Sequence, residues 1–318
     1  MRRFAAALAL AASACSTTPH ASAPSNPLFA GADPHAEVIG DQVWIYPTGG
    51  GERGALVAWS SSDLRSWQKH GPIFALADAA WIDDDGAAVH HLWAPGLARA
   101  NGRFYLYYSV GPQNPTPSRI GVAVADNPAG PFIDSGKPLV ADGGNGFEAI
   151  DPMVFVDPKD GTRYLFAGGS AGATLRAWIL KPDMVTIERE VPIAQPPQFT
   201  EGAFMHARGG VYYLSYSHGS YNRADYSVHY ATGPSPLGPW TYRGALLETG
   251  GELKGPGHHS FFTDPKSGRF MIAYHRWERP GAEPFRGSRM VAIEPVAYRA
   301  DGTIEPIRMT IGKGAPQP

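Results

Sequence analysis

The stretch Ala149-Ile150-Asp151-Pro152-Met153-Val154-Phe155-Val156 sets one carboxylate at the head of a short apolar run. Ala32-Asp33-Pro34-His35-Ala36-Glu37-Val38-Ile39 repeats that arrangement upstream, and Thr200-Glu201-Gly202-Ala203-Phe204-Met205 repeats it downstream. Each run opens the same recurring unit: an apolar strand, a turn with Gly or Asp, then an aromatic-rich strand. The turns are Gly40-Asp41, Asn101-Gly102, Asp160-Gly161, Gly209-Gly210 and Ser267-Gly268. They lead into Val43-Trp44-Ile45-Tyr46, Phe104-Tyr105-Leu106-Tyr107-Tyr108, Tyr164-Leu165-Phe166, Val211-Tyr212-Tyr213-Leu214 and Phe270-Met271-Ile272-Ala273-Tyr274. A turn dipeptide between alternating apolar runs is the mark of a hairpin.

Further strands follow in each copy. The third is read at Ala55–Trp59, Ile120–Val124, Leu175–Leu180, Ser227–Ala231 and Arg289–Ile293. The fourth is read at Trp67–Lys69, Pro131–Phe132, a weak segment in copy three, Trp240–Tyr242 and Ala297–Tyr298. From Asp33 to Ala94, Asp151, Glu201 and His258 the steps are 61, 57, 50 and 57 residues. Five units of about four strands at that period predict an all-β fold, a five-bladed β-propeller over residues 28–312. The first strand of each blade lines the central channel, so these five residues are expected to converge there.

Composition fits. Gly (38) and Pro (30) are spread between apolar runs, which reads as many turns rather than disorder. The net charge of −2 gives no electrostatic footprint for nucleic acid. Residues 1–14 read as a signal peptide: Met1-Arg2-Arg3 is basic, and Phe4–Ala12 is an apolar run too short to span a bilayer. Ala12-Ser13-Ala14-Cys15 resembles a bacterial lipobox, with Ala12 where that pattern has Leu. Cys15 is then the lipidated residue, residues 15–27 a flexible tether and 313–318 a C-terminal tail. The expected location is periplasmic, or anchored to the outer membrane through Cys15. As the sole cysteine, it forms no internal disulfide.

Asp-Pro pairs alone say little, and Asp157-Pro158 and Asp264-Pro265 read as turns. Asp33, Asp151 and Glu201 differ by standing at strand starts in phase with the repeat. Acids gathered in one channel raise one another's pKa values, an arrangement kept for chemistry.

At these residues the chain resembles glycoside hydrolase family 43. The carriers are Ala32-Asp33-Pro34, Asp63-Leu64-Arg65-Ser66-Trp67, Trp93-Ala94-Pro95, Ile150-Asp151-Pro152, Thr200-Glu201-Gly202 and Gly255-Pro256-Gly257-His258-His259-Ser260, in that order over residues 27–310. The resemblance implies single-displacement hydrolysis of pentosides with inversion. It assigns Asp33 as general base, Glu201 as general acid, and Asp151 as the acid that orients Glu201 and raises its pKa. Inversion asks for two carboxyl groups about 6.5–9.5 Å apart, with room for a water. The expected activity is an α-L-arabinofuranosidase on arabinan or arabinoxylan fragments. Alternatives are a β-xylosidase, an endo-α-1,5-arabinanase, or, in another class, a non-catalytic carbohydrate-binding propeller. The expected partner is a plant cell-wall saccharide, with the protein acting as a monomer.

The resemblance also makes His258 the family's axial histidine, which in many members meets a structural calcium; no cofactor is required for the chemistry. Trp93 and Arg289 are expected to contact sugar, with Arg276 competing for the latter role. His35, two residues after Asp33, is expected to shape the sugar subsite from the same strand face. By strand alternation His259 should face away from the channel. Asp83-Asp84-Asp85-Gly86 lacks the spacing of an EF-hand loop and reads as a solvated turn. Ala75–His91, Gly111–Arg119 and His218–Asp225 are long for connections and are expected to form a rim over the pocket.

Overall fold

The computed structural model describes residues 25–49, 54–141, 147–170 and 172–312. The expected signal segment, Cys15 and most of the tether lie outside the described residues, as does the tail 313–318.

Among the described residues, twenty strands form five four-stranded antiparallel sheets. β1 (Phe29–Ala30) stands ahead of the first blade. Blade one is β2 (Ala32–Ile39), β3 (Gln42–Thr48), β4 (Ala55–Ser61) and β5 (Gln68–Ala75). Blade two is β6 (His91–Ala100), β7 (Arg103–Gly111), β8 (Arg119–Ala125) and β9 (Ile133–Asp134). Blade three is β10 (Met153–Val156), β11 (Arg163–Ala167), β12 (Arg176–Leu180) and β13 (Ile187–Val191). Blade four is β14 (Glu201–Arg208), β15 (Val211–His218), β16 (Ser227–Gly233) and β17 (Thr241–Leu247). Blade five is β18 (Leu253–Thr263), β19 (Phe270–Glu278) and β20 (Met290–Pro295), completed by β1. This is the five-bladed propeller that the repeat predicts.

One strand departs from expectation. Ala297–Tyr298 is not the fourth strand of blade five. The edge of β20 is taken by β1, with Phe29 opposite Val291 and Ala30 opposite Met290. The Phe29 ring stacks on Trp59 at 4.3 Å and meets Trp67 edge-on at 5.6 Å, tying blade five to blade one. Tyr298 leaves the sheet and bonds His206 Nε2 through its hydroxyl at 2.7 Å. A buried polar cluster locks the seam. The Asn26 side-chain amide donates to Ile293 O and Glu294 Oε1, and Glu294 Oε1 also accepts from the Thr310 amide.

The core lies between neighbouring blades, built from apolar residues on facing sheets. Asp83 and Asp84 are exposed, as expected of a solvated turn, but the segment is anchored through Asp85. It belongs to a short 3-10 turn, Ile82–Asp85, whose Asp85 is gripped by Arg119 at 2.6 Å and His90 at 2.9 Å. Trp81, beside it, is buried against Tyr108. This segment therefore folds down onto blade two, and the pocket described below takes no lining residue from it.

The feature that positions the site is one bulge, repeated. Pairing runs Ala32 with Thr48, then His35 with Tyr46. It runs Trp93 with Ser109, then Gly96 with Tyr107; Glu201 with Ser217, then Phe204 with Ser215; Gly257 with His275, then Ser260 with Ala273. Each first strand spends three residues where its partner spends two, which bends it and twists it locally. In blade three the Gly168 amide bonds Ile150 O and Met153 then faces Phe166, the same step. The first bulged residue is left-handed in all five: Asp33 (φ 48°), Ala94 (43°), Asp151 (57°), Gly202 (63°) and His258 (34°). This corrects the phase of the repeat. The counterpart of Asp33 and Asp151 in blade four is Gly202, and Glu201 stands one residue earlier, level with Trp93 and Ile150.

Candidate active site

A left-handed non-glycine residue costs roughly 1–2 kcal/mol and needs support. Support comes from the neighbouring blade. The amides of Ala94, Asp151 and His258 donate to Thr48 Oγ1 (2.6 Å), Ser109 Oγ (2.9 Å) and Ser217 Oγ (2.8 Å). The Asp33 amide donates to His275 Nδ1 at 3.0 Å, closing the circle from blade five. Blade three has Gly168 at that acceptor position, and there Asp151 serves instead: its Oδ2 accepts from the Gly202 amide at 3.0 Å. The strap that orders the bulges thus fixes the acids.

Above the bulges opens a pocket of about 300 Å³, lined by Asp33, Trp93, Gln113, Ile150, Asp151, Ser170, Glu201, Tyr221, His258 and Arg289. That volume sits at the small-ligand end of binding sites. Asp33, Asp151, Glu201, Trp93, His258 and Arg289, all expected from the sequence, meet here. Arg276 does not. It is fully buried among Glu278, Tyr274 and the Thr310 carbonyl.

Asp33 Oδ1 lies 3.0 Å from Arg289 Nη1, 3.3 Å from His275 Nδ1 and 3.4 Å from His258 Nδ1. Burial alone would push its carboxyl up. Arg289 first, then His258 and His275, outweigh burial and hold it well below the usual carboxylate range. Asp33 is therefore an anion at neutral pH. Asp151 goes the other way: burial, then the neighbouring charges of Glu201 and Asp33, raise it well above the ordinary range. His258 Nδ1 stands 3.4 Å from Asp151 Oδ2 as well, between the two acids. Burial keeps His258 below its ordinary value and His275 down at about 4.

Glu201 is held by hydroxyls. Tyr226 donates to Oε1 at 2.7 Å and Ser170 donates to Oε2 at 2.9 Å. A Cβ on Gly169 would fall 2.5 Å from the Glu201 Cβ, so glycine there is what lets the acid reach the pocket. The Trp93 ring stacks on His91 and covers Gly111, where a Cβ would collide with it at 2.2 Å. Gln113 and Tyr221 bring the connections after β7 and β15 to the rim, and the Arg289 guanidinium lies 5.1 Å from the centre of the Tyr221 ring.

His35 does not join this pocket. The bulge at Asp33-Pro34 breaks the alternation that would have placed it there, and it lines a separate space of about 10 Å³ below the floor. His258 and His259 both line that space, since their own bulge turns the pair to one side. A volume of this size takes at most one water. Calcium requires six to eight oxygens. The lining offers mainly imidazole nitrogens, and no group of three or more His, Cys, Asp or Glu among the described residues is arranged to hold a metal. Hydrated calcium therefore does not fit within that small space.

Sequence reading missed Tyr226, Ser170 and His275; Gln113 and Tyr221 come from two of the three segments expected to form the rim, Gly111–Arg119 and His218–Asp225. His275 had a signal: Thr48, Ser109, Ser217 and His275 are polar residues opposite the start of the bulge in four of the five blades.

The sequence profile described as glycosyl hydrolases family 43 matches residues 24–304. A β-D-galactofuranosidase of Aspergillus niger is 34% identical over 305 residues, 90% of this chain and 85% of the relative. An arabinoxylan arabinofuranohydrolase of Bacillus subtilis is 30% identical over 89% of this chain, which spans 64% of that relative. A β-xylosidase/α-arabinofuranosidase from a compost metagenome, solved with xylotriose in a calcium-free form, superposes with a TM-score of 0.71 at 28% identity, covering 89% of this chain and 97% of the other. With its propeller, its channel-mouth acids and a profile match over nearly all of the described residues, this chain belongs to glycosyl hydrolases family 43 and is a glycoside hydrolase.

Proposed function

We propose that the protein is an inverting, exo-acting α-L-arabinofuranosidase. The observation that carries this reading is the contrast between two acids on one small pocket. Asp33 is held as an anion by Arg289, while Glu201 is offered to the pocket by two hydroxyl groups. In this reading Asp33 takes a proton from water as it attacks the anomeric carbon. Glu201 gives a proton to the leaving oxygen on the opposite side. Asp151 sits behind both, fixing the Gly202 amide beside Glu201. Trp93 offers a flat face to the sugar, and Arg289 is placed to bond a hydroxyl. The arabinofuranohydrolase relative supports the sugar, and the pocket's modest volume supports removal of one terminal residue.

A second reading has its own support. The Aspergillus relative is named for β-D-galactofuranose, whose ring shares its configuration with α-L-arabinofuranose and adds one hydroxymethyl group. The test is hydrolysis of the 4-nitrophenyl α-L-arabinofuranoside, β-D-galactofuranoside and β-D-xyloside, with the product anomer followed by NMR. Fastest turnover of the first, with inversion, supports the leading reading. A retained anomer overturns the mechanism, and preference for either other glycoside overturns the sugar. Saccharide binding without turnover of any substrate leaves a binding propeller.

The Cys15 segment is read as an export and lipid-attachment signal on a bacterial envelope protein. Mass spectrometry of the mature N-terminus tests it, and an unacylated start elsewhere overturns it.

A further inference from the structure

We infer that Tyr226 is the positioning residue that decides which oxygen of Glu201 carries the transferred proton. The inference rests on the reading of Glu201 as general acid and goes beyond it.

Tyr226 is fully buried at the head of β16, and its hydroxyl donates to Glu201 Oε1 at 2.7 Å. Its ring lies parallel to His275, 5.7 Å between centres and 9° between planes. Blade five makes room for it. Gly257 occupies the bulge position held by Trp93, Ile150 and Glu201 in blades two to four. A Cβ there would stand 1.9 Å from Cε1 of Tyr226. Blade five thus withholds its side chain at the channel mouth, and a tyrosine from the preceding blade fills the slot. Burial first, then the charges of Glu201 and Asp33, push the Tyr226 hydroxyl well above its ordinary range, so it stays a donor at every working pH.

A protonated carboxyl has one oxygen that accepts and one that carries hydrogen. A permanent donor on Oε1 makes Oε1 the acceptor and leaves the proton on Oε2. Oε2 is the oxygen beside Ser170, an exposed residue on the pocket wall, and a serine hydroxyl can accept that proton's bond or donate to the carboxylate. When the glycosidic carbon–oxygen bond breaks, its electron pair stays with the leaving oxygen, which takes the Oε2 proton. Glu201 becomes an anion, and Tyr226 and Ser170 both donate to it. A hydrogen bond to a group gaining charge is stronger in the transition state than before it, which is the condition for raising kcat.

Tyr226→Phe keeps the ring and removes the donor. The parent, Tyr226→Phe and Glu201→Gln are compared on one glycon with two leaving groups: the 4-nitrophenyl furanoside, which needs little acid help, and a disaccharide, which needs it fully. Tyr226→Phe is expected to lower kcat on the disaccharide about 10–100-fold, the size of one hydrogen bond to a charged group. KM and nitrophenyl turnover should change less than about threefold, and the basic limb of the pH profile should move to higher pH. Equal losses on both substrates, or no loss, overturn the inference. Should Glu201→Gln retain disaccharide turnover, the acid assignment itself falls. If Tyr226→Phe does not fold, 3,5-difluorotyrosine at position 226 gives a stronger donor of similar shape. The basic limb must then move to lower pH, and an unmoved limb overturns the inference.

Discussion

Asp33 and Asp151 are the same residue type on the same bulge, yet their proton affinities diverge. Arg289 stands beside one, while for the other burial and the charges of Glu201 and Asp33 outweigh the Gly202 amide and the more distant Arg289. Each divergence has a consequence for a variant. Asp33→Asn should lower kcat by at least about 10³-fold and also lower Tm at pH 7, because a carboxyl held below 3.8 in the native state stabilises the fold above that pH; steady-state rates and calorimetry read the two effects. Asp151→Asn should also lose turnover but gain stability. A carboxyl whose native pKa lies above its unfolded value near 3.8 binds its proton more tightly in the native state. The native state therefore loses stability as pH rises through and beyond 3.8. Replacing Asp151 by Asn removes that loss, so Tm should rise at pH 7, with the gain vanishing below about pH 4. A Tm that falls at pH 7 would refute the account of Asp151.

At the scale of the strand, the bulge decides everything above it. Ala94 shows its cost plainly, because it holds a left-handed backbone with no catalytic group to show for it. Ala94→Gly relieves roughly 1–2 kcal/mol of strain against roughly 0.5–1 kcal/mol of lost chain order, so thermal melts should show an unchanged or slightly higher Tm. Any other buried alanine would lose stability on such a change. The bulge also marks where sequence reading stops. Hairpin dipeptides and apolar alternation expose five blades, because turns and strand faces are local. An extra residue in a strand is invisible until the partner strand supplies the count, so Glu201 reads as in phase with Asp151 when it is one position off, and His35 reads as facing the sugar. Tyr226 is hidden for another reason. It comes from a connection between strands, and only the space left by Gly257, thirty-one residues on, gives it a place.

The wheel as a whole is closed by two residues from its beginning, Phe29 and Ala30, a segment too short to show any periodicity. Phe29→Ala removes the ring that stacks on Trp59 and should cost about 3–5 kcal/mol, lowering Tm by roughly 6–10 °C in a domain of this size. Acid should weaken the wheel through its histidines. Burial holds His206 at about 3, His35, His229 and His275 at about 4, and His258 and His259 below the ordinary 6.5. Between pH 6.5 and 4 the unfolded chain takes up protons that the native state refuses, at up to about 1.4 kcal/mol per pH unit for each group. Glu37, Glu294 and Asp151, whose carboxyls burial raises, oppose this with fewer groups. Tm should therefore fall by at least about 5 °C between pH 7 and pH 5, and a flat profile would contradict these burials.

Asn26 and Thr310 touch through their side chains at 3.1 Å, although 284 positions separate them. A short bridge could therefore sew those two residues together and let the polypeptide be reopened elsewhere. The exposed Gly209-Gly210 hairpin offers such an opening, with nothing within 4 Å of either Cβ position. A gene permuted to begin at Gly210 should yield an enzyme with the parent's turnover: blade five then closes locally, and the closure that joins the two ends passes to β14 and β15 of blade four.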